Sequence, residues 1–235
     1  MAMRHGDALA RKIRLVTPLL RQVTDRFWAR DDLNVLFPAF LQTIYGSVRA
    51  TQPLMTMAIH ESRTSWSGEA VASSLVPYLE RHIAEEHEHD EWLLADLESL
   101  GVRRADVVSR PAPPAIAAAV GAQYYWMQHA HPCALLGYFA VLEGHPPTIE
   151  HLDEIQARTG LPATAFRMLR HHAELDAVHA ADLFAFVDGL PLEPWQATLI
   201  GTSALHTLTA LQSMFDALTP TTPAVPAGAG PALNG

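Results

Sequence analysis

Apolar residues recur at helical spacing along most of this chain, and no stretch shows the apolar–polar alternation of a half-buried strand. Residues 7–29 carry Leu15, Leu19, Val23 and Phe27 as the expected inner face, with Asp7 as the expected N-cap. Residues 33–60 hold a long stripe of Phe37, Leu41, Ile44, Val48, Gln52, Met55 and Ile59, and Pro53 predicts a bend. A polar connection, ESRTSWSG at 61–68, offers Ser67 or a neighbour as cap for the next helix. That helix runs from Leu75 to Leu100, with Leu75 and Leu79 at one end and Leu93, Leu97 and Leu100 at the other; Gly101 stops it. Residues 102–114 read as a loop with at most one helical turn, and 115–143 as a helix kinked at Pro132. Thr148 caps a short helix to about Arg158, Gly160 ends it, and Pro162 opens a helix that closes at Gly189 and Pro191. A last helix covers about 194–217. The pattern predicts one all-α domain over 1–218 and a disordered Pro/Gly/Ala-rich tail over 219–235.

Two of these stripes are interrupted in the same way. Between Leu79 and Leu93 the inward positions are His82, Glu86 and His89; between Leu169 and Leu183 they are His172, Asp176 and His179. Positions i, i+4 and i+7 share a helix face, so both triads fall where Leu or Val belongs. Unpaired hydrophilic groups are costly to bury, and a metal ion is the compensation that suits them. Glu86 with His89, and Asp176 with His179, have the carboxylate-x-x-His spacing that lets two side chains reach one ion. Glu143 brings a carboxylate from a third helix, and His172 supplies another nitrogen. Imidazole plus carboxylate suits iron, and the single cysteine, Cys133, argues against a thiolate zinc site.

The neighbours have plainer readings. Glu85, His87, Glu88, Asp90 and Glu91 read as a solvated face, although Asp90, Glu91 and Glu174 could instead orient ligand histidines. His171 lies off the stripe and reads as surface; His129, His131 and His206 read as hydrogen-bonded structural histidines. His82 is either beside the metal or in a substrate pocket, to which Tyr45, Gln52, Tyr125 and His129 are the other candidates; plain core packing is the competing role for the tyrosines.

Composition narrows the partners. The hydrophobic content of 49% in 235 residues supports one sizeable core and leaves room for a homodimer interface. A net charge of −9 speaks against nucleic acid, which wants a basic face. No apolar run approaches a membrane span, and the N-terminus lacks a signal-peptide pattern, so a cytoplasmic protein acting on a small molecule is expected.

AEEHEHDEWLLADLESLG, YYWMQHAHPCALLGYFAVLEG and FRMLRHHAELDAVHAADL resemble the heme-oxygenase-like diiron oxidases, also called iron-containing redox enzymes, over most of residues 33–217. The resemblance implies an all-α, heme-oxygenase-like bundle of about seven helices. It implies two Fe(II) ions held by Glu86, His89, Glu143, His172, Asp176 and His179, with O2 as co-substrate. It implies N-oxygenation, desaturation or oxidative C–C cleavage of a small molecule. Where the family carries an early-helix glutamate, this chain has Gln52, which puts filling of one metal position in question. The alternatives on the same fold are a metal-free thiaminase-like or cofactorless quinone-forming enzyme and a non-catalytic metal-binding protein; a ferritin-like bundle is the other fold considered. Heme oxygenase activity is disfavoured, because no histidine occurs between His5 and His60 to serve as proximal ligand.

Overall fold

The computed structural model describes residues 4–219, apart from the side chains of Asp176 and Ala177. The predicted tail from residue 220 onward therefore lies outside the described residues. The chain forms α1 (His5–Trp28), α2 (Leu33–Arg63), α3 (Ala70–Glu85), α4 (His89–Ser99), α5 (Arg104–Ser109), α6 (Pro114–His129), α7 (Ala134–Leu142), α8 (Ile149–Thr159), α9 (Arg167–Gly189) and α10 (Pro194–Leu218). A 3-10 turn at Ala163–Phe166 leads into α9. Among the described residues there is no strand, and no helix is long and apolar enough to cross a membrane.

The helices exceed the expected seven because two predicted helices each split and residues 104–109 wind into a short one. The first split separates α6 from α7 at residues 130–133, around Pro132. The second divides the predicted 75–100 helix at residues 86–88, where Glu88 adopts the left-handed conformation with φ 65°. The local sequence accounts for it. Glu85, Glu86, Glu88, Asp90 and Glu91 crowd one stretch without an apolar stripe, and like charges one turn apart weaken a helix. Restarting the helix at His89 moves Asp90 and Glu91 into a first turn, where negative charge is favoured.

Two further expectations are corrected. Leu15 and Leu19 are exposed, at 81% and 52%, and α1 instead buries Leu9, Ile13, Leu20, Val23 and Phe27. A strict four-residue spacing precesses around a 3.6-residue helix, whereas the observed set stays on one side. One N-cap also differs: Arg4, not Asp7, precedes α1, while α3 is capped by Glu69, a near neighbour of Ser67, which accepts from the Ala72 N–H at 2.6 Å. Thr148 caps α8 and Gly160 ends it with φ 67°, as the pattern predicts.

In the packing, α10 lies against α7 and α1, while α2 contacts α3, α4 and α6, and α9 crosses α1 and α4. Gly137 makes the α7–α10 contact possible, since a Cβ there would strike the Ile200 carbonyl. This places the start of α9, the α3–α4 break and the end of α7 around one interior region.

Candidate metal centre

The α3–α4 break is the scaffold of the site. Glu86 sits at the C-cap of α3, just past the last helical residue, and its main-chain carbonyl is one of the acceptors a helix end leaves unsatisfied. Gln52 on α2 donates its side-chain Nε2–H to that oxygen at 3.0 Å. Glu86 and His89 then turn inward, 8% and 2% exposed. His89 Nδ1 lies 2.9 Å from Glu86 Oε2, while its Nε2 is buried and has no hydrogen-bond partner among the described residues. His172 comes from α9, with its ring 4.9 Å from that of His89. Glu86, His89 and His172 each offer a ligand atom, all within 4.8 Å of one another. Two imidazoles and one carboxylate suit a ferrous ion. An imidazole bonded to a carboxylate through one nitrogen, leaving the other for the metal, is also how metal-bound histidines are oriented.

A second group lies alongside. His82 is buried on α3, its Nε2 3.1 Å from Glu143 Oε1 and its Nδ1 3.3 Å from Glu85 Oε2. Glu143, at the C-cap of α7, is 6% exposed. His179, on α9, has its ring 5.6 Å from that of His82 and its Nε2 3.9 Å from Glu85 Oε2. The backbone of Asp176 belongs to α9 between His172 and His179; its side chain lies outside the described residues.

Electrostatics favour the charged forms of Glu86 and His82. Burial pushes the Glu86 carboxyl up, but the His89 hydrogen bond and the nearby His172 and His82 outweigh it and hold it below the ordinary carboxylate range. Burial opposes protonation of His82, yet the bonded Glu143 and the charges of Glu86 and Glu85 prevail and raise it.

The other candidates fall elsewhere. Tyr45 is buried in the core beneath Arg49, whose guanidinium lies 5.7 Å from the ring centre. Tyr125 and His129 are exposed and pack on each other, with ring centres 4.7 Å apart. His131 is structural: its Nδ1 accepts from the Cys133 N–H at 3.0 Å, and its Nε2 faces Glu69. His206 bonds the Ala118 carbonyl.

Four residues near the centre have contacts that periodicity does not express. Glu85 is exposed, as its solvated-face reading implies, and its carboxylate also lies 3.3 Å from His82 Nδ1 and 3.9 Å from His179 Nε2. His171 was assigned to the surface, yet its ring lies 5.0 Å from His89 and 4.9 Å from Trp92. Both contacts across to another helix are made where α9 packs beside α3 and α4. Asp96 on α4 is 1% exposed and accepts from the Met168 N–H at 2.9 Å, filling an orphan donor in the first turn of α9. Burial pushes its carboxyl up to about 6, against that hydrogen bond and Arg167. Tyr138 on α7 is 1% exposed, and among the described residues its hydroxyl has no hydrogen-bond partner. Burial, with the charge of Glu86 close by, raises its phenol above the ordinary value.

An all-α bundle enclosing two imidazoles and a carboxylate from α9 and the α3–α4 break defines a helical protein with a candidate iron site. The sequence profile of the iron-containing redox enzymes matches residues 39–212, and the chain belongs to that family. Its fold is that of the heme-oxygenase-like proteins. A solved domain of unknown function with a heme oxygenase-like fold, from Shewanella denitrificans OS217, superposes with TM-score 0.71 at 18% identity, over 90% of this chain and 89% of that one. A TenA homologue from Pseudomonas syringae pv. tomato DC3000 superposes with TM-score 0.68 at 12% identity, over 89% and 91%. The comparison with curated proteins found no match.

Proposed function

We propose that this chain is a non-heme iron oxidase that uses O2 to oxidise a small organic molecule. The reading assigns one ferrous ion to Glu86, His89 and His172, and a second to Glu143, Asp176 and His179. The observation that carries it is the Glu86–His89–His172 group, with Glu86 and His89 buried, ligand atoms within 4.8 Å of one another, and His89 Nε2 lacking a hydrogen-bond partner among the described residues. A buried polar atom of that kind is costly unless something binds it.

When bound, ferrous iron supplies the electrons for reduction of O2 and an open position for substrate. The chain's own residues do the rest. Glu86 provides an anionic ligand at neutral pH, held ionised by its histidine neighbours. Gln52 fixes the backbone from which Glu86 projects. His82 orients Glu143 and, through Glu85, stands next to His179; it also offers an N–H for moving a proton at Glu143 Oε1. Asp96 anchors the start of α9 and so sets where His172 stands. The surrounding apolar residues, such as Leu79, Leu93 and Phe139, keep water out.

The test is oxygen consumption by anaerobically iron-loaded protein on exposure to O2. Uptake that depends on ferrous iron and disappears in His89→Ala supports the reading. Uptake that is unchanged in His89→Ala contradicts it.

A further inference from the structure

A cavity of about 620 Å³ opens between α1, α2, α10 and the connection that follows Glu143. Its size falls in the range of small-molecule sites. Part of its wall touches the metal-carrying segments: Leu142 and Gly144 flank Glu143 in sequence, and Leu169 lies one helical turn before His172. Another part is aromatic. Trp28 meets Phe40 edge-on at 5.0 Å, and Phe40 stacks on Phe215 at 5.9 Å. Such faces favour rings and hydrocarbon, and an apolar cavity takes an apolar guest readily.

Polar residues line the cavity as well, among them Thr24, His145, Thr148 and His151, and its charged pair is on α1. Arg21 and Asp25 are exposed there, one turn apart on α1 and opposite in charge, so neither an anion nor a cation gains a net attraction. The connection itself is clipped to α1: Thr17 Oγ1 lies 3.1 Å from His145 Nε2, and His145 Nδ1 lies 3.1 Å from the Val141 carbonyl oxygen. The wall beside Glu143 is thereby held in place.

We infer that this cavity is the substrate chamber, and that the substrate is an uncharged, ring-bearing hydrophobic molecule entering past α1 and reaching toward Glu143. The catalytic meaning of the chamber rests on the metal reading above; its capacity to bind such a molecule does not.

The test uses N-phenyl-1-naphthylamine, an uncharged ring-bearing fluorophore, with the full chain. One equivalent should bind, with a blue shift and energy transfer from tryptophan. Leu211→Trp on α10 and Thr24→Trp on α1 fill the chamber from two sides and should each weaken binding at least tenfold. Ala117→Trp, in the separate α2–α6 groove, should leave it unchanged. Absence of binding, or equal binding in the wild type and both filling variants, overturns the chamber. Manganese(II) added to the complex should accelerate proton relaxation of the bound fluorophore; bound manganese without that acceleration overturns the proximity to the metal-carrying residues. Failure of manganese to bind bears on the metal site alone, which ferrous titration decides, and the filling variants decide the chamber by themselves.

Discussion

The Gln52 side chain donates to the main-chain oxygen of Glu86 at 3.0 Å, joining the middle of α2 to the gap between α3 and α4. The direction of this bond is fixed by chemistry: a carbonyl oxygen only accepts, so the amide must present its NH2. An ionised glutamate cannot make the bond. Position 52 therefore serves the backbone of the break, and its departure from the family glutamate has a structural reason in this chain. Gln52→Ala should cost about 1–3 kcal/mol by leaving the Glu86 carbonyl unsatisfied. Gln52→Glu should be destabilised at neutral pH and should weaken ferrous binding at Glu86. Denaturant titration and anaerobic iron titration of the two variants check this; tighter iron binding by Gln52→Glu would mark position 52 as a vacated ligand instead.

Asp96 predicts a pH dependence. Its carboxyl is raised from 3.8 to about 6 in the folded protein, so folding favours the protonated form. The stability this group contributes is fully present below pH 3.8 and lost as pH rises through about 6, on the order of 3 kcal/mol. Asp96→Asn mimics the protonated form and keeps an acceptor for the Met168 N–H. It should be more stable than the wild type above pH 6, with the difference shrinking toward pH 4. Urea denaturation of both proteins across that range measures the difference, and a gap independent of pH would contradict the assignment. Asp96→Ala removes the acceptor and should cost about 1–2 kcal/mol at low pH, where burial no longer penalises a charge.

Tyr138 predicts a substitution that the apo protein tolerates. Its buried hydroxyl makes no hydrogen bond among the described residues, so Tyr138→Phe removes an uncompensated polar atom without opening a large cavity. Apo stability should be unchanged or raised by up to about 1–2 kcal/mol, as read by thermal melting. A loss of 2 kcal/mol or more would show that the hydroxyl is bonded.

The helical content of the chain and the identity of its inward polar residues were legible because both express the 3.6-residue period. His82, Glu86, His89 and Glu143 are all buried, as their stripe positions imply. The break at 86–88 is not expressed in the stripe, because Leu79, His82, Glu86, His89 and Leu93 keep helical spacing straight through it; its local cause is the run of like charges, and the Gln52 amide on α2 then satisfies the carbonyl it leaves free. The neighbours of Glu85 and His171 were not legible because they come from packing between helices: α9 brings His179 to Glu85 and His171 to His89. Asp96 escaped for a related reason: it sits among Leu93, Leu94 and Leu97 on a buried face, and only the arrival of α9 gives it a partner. The inner face of α1 was misjudged because a four-residue spacing was followed where the true period is shorter.

Removal of single ligands should separate the two halves of the centre. Glu86→Ala, His89→Ala and His172→Ala should each lower affinity for the first ferrous ion by at least a hundredfold. His171→Phe, which keeps a ring against His89, should lower it by about tenfold or less. Equilibrium competition with a ferrous chelator gives these ratios. Equal losses in His171→Phe and His172→Ala would mean that His171, rather than His172, binds the ion.

The most direct measurement is anaerobic titration of the purified full chain with ferrous iron, following bound metal against equivalents added, in the wild type and in His89→Ala. The account predicts saturable binding of up to two ions in the wild type, with the tighter ion lost in His89→Ala while the variant stays folded. Failure of the wild type to bind ferrous iron, or identical binding isotherms for the two proteins, would contradict it.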